Sequence, residues 1–292
     1  MANLIDLRRR IRSIKNTQQI TKAMKMVAAA KLRRAQDAIL ATRPYATELQ
    51  KVTSNLSGAG TGDYEHPLLS TPEGGEGKTL LAVVTGDKGL CGSFNSNVIR
   101  GAENFLKENE NVDLLLLGRR GVDYFGRRRT PIRERFTSLF TEVKYDDAQQ
   151  IGDDVIEAFT QGEYSSVYLI YNQFVSVLTQ TLTVEQVLPL SSDLSEGETE
   201  SSSADAVDYL YEPSPESILD ALLPRFVIFQ FYKALLESQA AEHGARMTAM
   251  DNATKNASEL IESLTLVYNR SRQAAITTEL IEVVSGANAL DG

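Results

Sequence analysis

The chain has 292 residues, 42% of them hydrophobic, which allows one or two domains with a sizeable core. Its longest apolar runs, Leu80 to Val84 and Leu114 to Leu117, fall far short of the ~20 residues a membrane helix needs, so membrane association is expected only through partners. A single cysteine, Cys91, excludes an internal disulfide and fits a reducing compartment.

The net charge of -9 conceals a separation of charge along the chain. Residues 1–56 carry twelve basic and three acidic side chains, whereas residues 145–224 carry sixteen acidic and no basic ones. Two surfaces with different partners are one explanation; solvated helix faces and an acidic loop are the other. The N-terminus is Arg-rich and amphipathic like a transit peptide. It lacks a small-residue cleavage pattern, however, and its periodicity continues for some fifty residues, so it reads as mature structure.

Asn3 is a candidate N-cap, with Asp6 placed to favour the positive end of a helix dipole. From there apolar or small residues recur at spacings of three and four: Leu4, Leu7, Ile11, Ile14, Ile20, Met24, Val27, Ala28, Leu32, Ala35, Ile39, Ala46, Leu49, Val52 and Leu56. Pro44 is the only breaker and Gly58 a natural stop, giving one helix of ~54 residues, about 80 Å long. So long a helix implies a coiled coil.

Between residues 78 and 190 the period changes. Thr79–Thr85 reads as a buried strand, followed by the loop Gly86-Asp-Lys-Gly-Leu-Cys-Gly92 and a helix from Asn95 to about Glu108. Strands are expected at 113–117, 131–136, 167–171 and 181–188, with helices near 119–125 and 147–160. Such alternation predicts a small α/β domain built on a mainly parallel sheet. Residues 58–77 and 191–213 read as linkers, the second strongly acidic.

A second long helix opens at Ser214 and Pro215, the favoured first positions, with the apolar stripe Ile218, Leu219, Leu222, Leu223, Phe226, Val227 and Phe231. From Met250 a strict alternation of four and three follows: Thr254, Ala257, Ile261, Leu264, Tyr268, Ser271, Ala275 and Thr278. The expected fold is therefore a long antiparallel two-helix coiled coil of the terminal helices (1–57 and 214–292) plus a Rossmann-like α/β domain (78–190). If the helices start level, the second overhangs the first by about 20 residues, ~30 Å. That overhang exposes Ile276, Leu280, Ile281, Val283 and Val284, a liability unless another protein surrounds it.

Chemistry-bearing motifs are weak. The loop spacing is G-x-x-G-x-x-G, neither a dinucleotide fingerprint nor a Walker A loop, and a tight structural turn explains it better than a nucleotide site. His66 and His243 have no ligand-spaced companions, and Cys91 has no nearby histidine. No catalytic residue, cofactor or metal is expected. The basic run from Arg8 to Arg34 lacks the aromatics that stack on bases, so contact with an acidic protein surface is preferred over nucleic acid.

Four stretches together resemble the γ subunit of F-type ATP synthases: Arg12-Ser-Ile-Lys-Asn-Thr-Gln-Gln-Ile-Thr-Lys-Ala-Met-Lys-Met-Val-Ala-Ala29, Gly86-Asp-Lys-Gly-Leu-Cys-Gly-Ser-Phe-Asn95, Arg246-Met-Thr-Ala-Met-Asp-Asn-Ala-Thr254, and Ile276–Ala289. The resemblance implies a non-catalytic central rotor that couples ion-driven rotation of the c ring to ATP synthesis or hydrolysis at the β subunits. Its implied partners are the α and β subunits of the catalytic hexamer, the ε subunit and the c ring, at the cytoplasmic face of a bacterial energy-transducing membrane. By the same resemblance the hexamer contacts fall on Lys22, Met24, Lys25, Arg246, Gln273, Thr277 and Glu279, and the contacts with ε and the c ring on Tyr209, Tyr211 and Glu212. Chloroplast relatives carry a cysteine pair after the sheet; this chain has none there, so thiol switching of that kind is not expected. The alternatives are a Rossmann-type nucleotide-binding enzyme with a coiled-coil arm and a basic coiled-coil nucleic-acid binder.

Overall fold

A computed structural model describes residues 4–58, 66–72, 77–190 and 215–290. Two compact units result, one formed by Met1–Ala28 with Arg246–Gly292 and the other by Ala29–Ala245.

The larger unit holds a five-stranded sheet of β1 (Thr79–Val84), β2 (Val112–Leu117), β3 (Ile132–Phe136), β4 (Ser166–Phe174) and β5 (Gln180–Leu188), in the order β3-β2-β1-β4-β5. All pairings are parallel except that of β5, which runs antiparallel to β4. Every residue of β1 and β2 is buried, which is why both carry continuous apolar runs, Leu80–Val84 and Leu114–Leu117, and not alternating patterns. Leu80, Ala82 and Val84 point to one face, covered by α4 (Tyr145–Thr160) and the start of α5 (Pro215–Leu290). Leu81 and Val83 point to the other, under α2 (Phe94–Glu108) and α3 (Arg119–Phe125).

The first stripe of α5 thus serves the sheet: Leu219, Leu223, Val227 and Phe231 are fully or almost fully buried in the same core as Ile151, Val155 and Phe159 of α4. Close approach is bought with a missing side chain at Gly152, where a Cβ would lie 2.7 Å from a side-chain carbon of Ile228 and 3.1 Å from its Cα. Leu4–Gly58 forms α1, and Tyr45 of α1 meets Phe229 edge-on with ring centroids 5.2 Å apart. Helix α1 runs unbroken through Pro44, and α5 through Pro224.

In the sheet-bearing unit two boundaries differ from expectation by two or three residues. Helix α4 opens at Tyr145 and β4 continues to Phe174, because polar Asn172 and Gln173 pair with Leu182 and Thr181 of β5. A short 3-10 turn, Leu139–Thr141, follows β3 and was not anticipated. Asn3 and Ser214, the expected helix-opening residues, lie outside the described residues.

Candidate partner-binding surfaces

In the smaller unit four side-chain hydrogen bonds fix how α1 and α5 run past each other. Arg8 donates to the Tyr268 hydroxyl (2.7 Å), Gln18 to the Ser258 hydroxyl (2.7 Å), Thr21 and Thr254 share a hydroxyl bond (2.8 Å), and Lys25 donates to Asp251 (2.6 Å). As the α1 number rises the α5 number falls in step, to within one residue, so the pair is antiparallel. Continued outward, that register sets Leu4 beside residue 272. Residues 273–290 extend beyond the described part of α1 by about 27 Å at the helical rise.

The seam has an unexpected composition. Buried and half-buried positions on α1 follow a strict heptad through Leu4, Leu7, Ile11, Ile14, Gln18, Thr21, Lys25 and Ala28. Ile20 and Val27, expected inside, keep 59% and 57% of their surface, because the 3.5-residue period places polar neighbours in the seam and turns these two outward. On α5 the expected seam holds from Thr254 to Ala275, but Thr278 is exposed.

Past Ala275 the seam positions are polar: Thr278, Glu282 and Ser285. The apolar residues occupy a different stripe, where Ile276, Leu280, Ile281, Val283 and Val284 keep between 47% and 70% of their surface. A stripe displaced from the seam is not surplus coiled-coil core; it is a separate apolar surface on a helix with no neighbour among the described residues.

The residues expected to meet the hexamer are distributed as follows. Lys22 is exposed, Met24 half-buried, and Lys25 half-buried against Asp251, which also takes Lys255 at 3.2 Å. These two ammonium groups hold the Asp251 carboxyl below its ordinary range. Arg246 is half-buried, while Gln273, Thr277 and Glu279 are exposed on the extension, the Thr277 hydroxyl donating to the Gln273 carbonyl at 2.9 Å. Tyr209, Tyr211 and Glu212 lie outside the described residues.

The glycine loop of the larger unit is tied to two other segments by Asp87. One Asp87 oxygen accepts the backbone N–H of Arg119 (3.1 Å) and of Ser138 (2.9 Å), and the other accepts that of Phe140 (3.1 Å). The first N–H of α3, which could greet a phosphate, is therefore occupied by the chain's own carboxylate. Gly118, at φ 108°, is required here, since a Cβ would stand 1.8 Å from the Thr85 carbonyl oxygen. Among the described residues there is no group of three or more His, Cys, Asp or Glu side chains able to hold a metal, and no helix is long and apolar enough to cross a membrane. His66, nearly buried, accepts the Leu68 N–H at Nδ1 (3.1 Å) and turns Nε2 toward Asp220 (3.5 Å); burial pushes its pKa down, which makes it a neutral staple.

Comparison with known proteins decides the family. A family profile described as "ATP synthase" matches residues 3–290. The ATP synthase gamma chain of Solibacter usitatus is 52% identical over the full length of both chains, and that of Pelotomaculum thermopropionicum 49% over the full length of both. The chain belongs to the ATP synthase gamma chain family. Among solved structures, a chain of the central stalk and c-ring assembly of the Tetrahymena thermophila mitochondrial ATP synthase is 28% identical, with a TM-score of 0.61 over 80% of this gamma chain and 99% of that chain. A chain of the Euglena gracilis mitochondrial ATP synthase, 20% identical, shares the fold with a TM-score of 0.68 over 98% of this chain and 94% of that one. The gamma chain family disfavours the nucleotide-binding enzyme.

Proposed function

We propose that this gamma chain is the non-catalytic central shaft of a rotary ATP synthase. The observation that carries the proposal is the α5 extension, whose apolar stripe is displaced from the coiled-coil seam and has no neighbour among the described residues. Such a helix fits the inside of a surrounding assembly, here the hexamer of α and β subunits.

Differential contact supplies the mechanism. At one height of the helix pair, α1 turns Ile20 outward, while the α5 residues alongside, Lys255 and Asn256, are polar and exposed. Three equivalent β subunits around such a pair meet three different chemistries, so each shaft position biases each β subunit by the difference in binding energy. Exposed Lys22, with Met24 and Lys25 beside it, suits an acidic segment of a β subunit. Arg246, Gln273, Thr277 and Glu279 complete the proposed hexamer contacts.

The sheet-bearing unit and the segment with Tyr209, Tyr211 and Glu212 are assigned to ε and the c ring. The chain then sits peripherally at the cytoplasmic face of a bacterial membrane, held by the complex. Residues 1–57, 78–190 and 214–292 form the proposed functional divisions.

Full-length chain added to α and β subunits should assemble an active ATPase. Truncation from Thr277 should impair assembly or coupling while the sheet-bearing unit's stability stays within about 0.5 kcal/mol. ATPase activity indifferent to the presence of this chain would sink the proposal.

A further inference from the structure

A cleft of about 630 Å³ opens on the outer side of the glycine loop, between that loop, α2 and α3. Three arginines line it: Arg100 from α2, Arg120 from α3 and Arg127 just beyond α3. None of the three forms a salt bridge among the described residues. The two carboxylates of the cleft do not balance them. Glu103 is already engaged by Arg128 at 3.2 Å and by the Tyr124 hydroxyl at 2.6 Å, which leaves Asp123 alone against three guanidinium groups.

The site is also braced. Arg128 lies over the Tyr124 ring at 3.6 Å, fixing the wall that carries Arg127. The Arg120 guanidinium packs on the bare backbone of Gly89, where a Cβ would come within 2.8 Å of its terminal nitrogen. A substitution at Gly89 would displace that guanidinium. Like charges converging on a concave surface focus a positive field and repel one another until an anion enters. Guanidinium groups match phosphoryl oxygens with paired, charge-assisted hydrogen bonds, and the volume lies within the range of small-ligand sites.

We propose that this cleft binds a small ligand carrying two or three linked phosphoryl groups. The site is distinct from the crevice above the sheet, where Asp87 takes the available N–H groups, and it uses side chains in place of a helix N-terminus. It holds ligand without chemistry. The proposal does not rest on the shaft assignment, because it concerns the chain on its own and predicts nothing about assembly.

Inorganic tripolyphosphate titrated calorimetrically into the purified full-length chain should bind saturably at one site and weaken with added salt. Each of Arg100→Gln and Arg127→Gln should weaken binding roughly tenfold, the scale of one lost charged hydrogen bond. Arg9→Gln with Arg12→Gln, also exposed but on the basic α1, should leave binding unchanged, and circular dichroism checks that every variant remains folded. Arg120→Lys keeps the charge but not the fork and should give an intermediate loss. Absence of saturable binding overturns the proposal, as does equal weakening by the α1 control. Vesicles of phosphatidylglycerol that bind through these arginines when tripolyphosphate does not would overturn it in favour of a lipid headgroup.

Discussion

The two units of this gamma chain are held together in opposite ways. In the sheet-bearing unit the residues that matter are apolar and enclosed: β1 and β2 are buried along their whole lengths and α5 adds Leu219, Leu223, Val227 and Phe231. In the helix-pair unit only Leu7, Thr21, Ala28, Met250 and Ala257 are buried among the described residues, and the register is set by directional polar contacts. Apolar burial stabilises without specifying alignment; polar seams do the reverse, as single polar seam residues do in coiled coils. One unit is built to be stable, the other to be aligned and to lean on partners.

The largest effect should come from the enclosed core. Phe231→Ala should cost about 3–5 kcal/mol, read from denaturant unfolding of the full chain, since a cavity would open beneath a fully buried ring. A cost below about 1 kcal/mol would mean the α5 stripe is not integral to the sheet-bearing unit.

A smaller effect of opposite sign is expected at Glu237. Burial foremost, and then the nearby Glu185 carboxylate, raise its pKa above the ordinary 4.5, against the lowering influence of Lys233, the Phe174 backbone and Arg43. One of its oxygens has no hydrogen-bond partner among the described residues. An acid with a raised folded pKa is destabilising when ionised, a penalty that is absent below 4.5 and grows as pH rises through the folded value. Glu237→Gln should therefore raise the thermal midpoint at pH 8, and the gain should vanish in acid. A loss of stability at pH 8 would break the argument.

The smallest effect belongs to the exposed seam at Asp251. Its carboxyl, held down by Lys25 and then Lys255, contributes stability that is fully present above the ordinary 3.8 and is lost as pH falls through the folded value. Asp251→Asn should weaken the helix pair slightly at neutral pH and match the parent chain in strong acid. Thermal scans across pH would show the two curves converging; persistent separation in acid would assign the effect to packing.

The same division governs what could be read from sequence. Strands buried on both faces announce themselves as apolar runs, and the α5 seam was legible because small and apolar residues recur in strict alternation of four and three. On α1 hydrophobicity misled: Ile20 and Val27 look like core, whereas the heptad begun by Leu4, Leu7, Ile11 and Ile14 leads to Gln18, Thr21 and Lys25. Extending the period, and ignoring polarity, would have found it. Asp87 gave no signal, since its three N–H partners lie 32 to 53 residues away and meet it only in the fold. The arginine cleft was hidden for the same reason, its walls coming from separate helices.

The Asp87 carboxylate also makes the crevice above the sheet independent of the metabolites around it. A loop ordered by a bound phosphate gains stability that varies with ligand concentration. Here the anion is part of the chain whose segments it organises, so its effective concentration is constant. The order that Asp87 imposes on the backbone of Arg119, Ser138 and Phe140 is accordingly the same in a starved cell and a fed one.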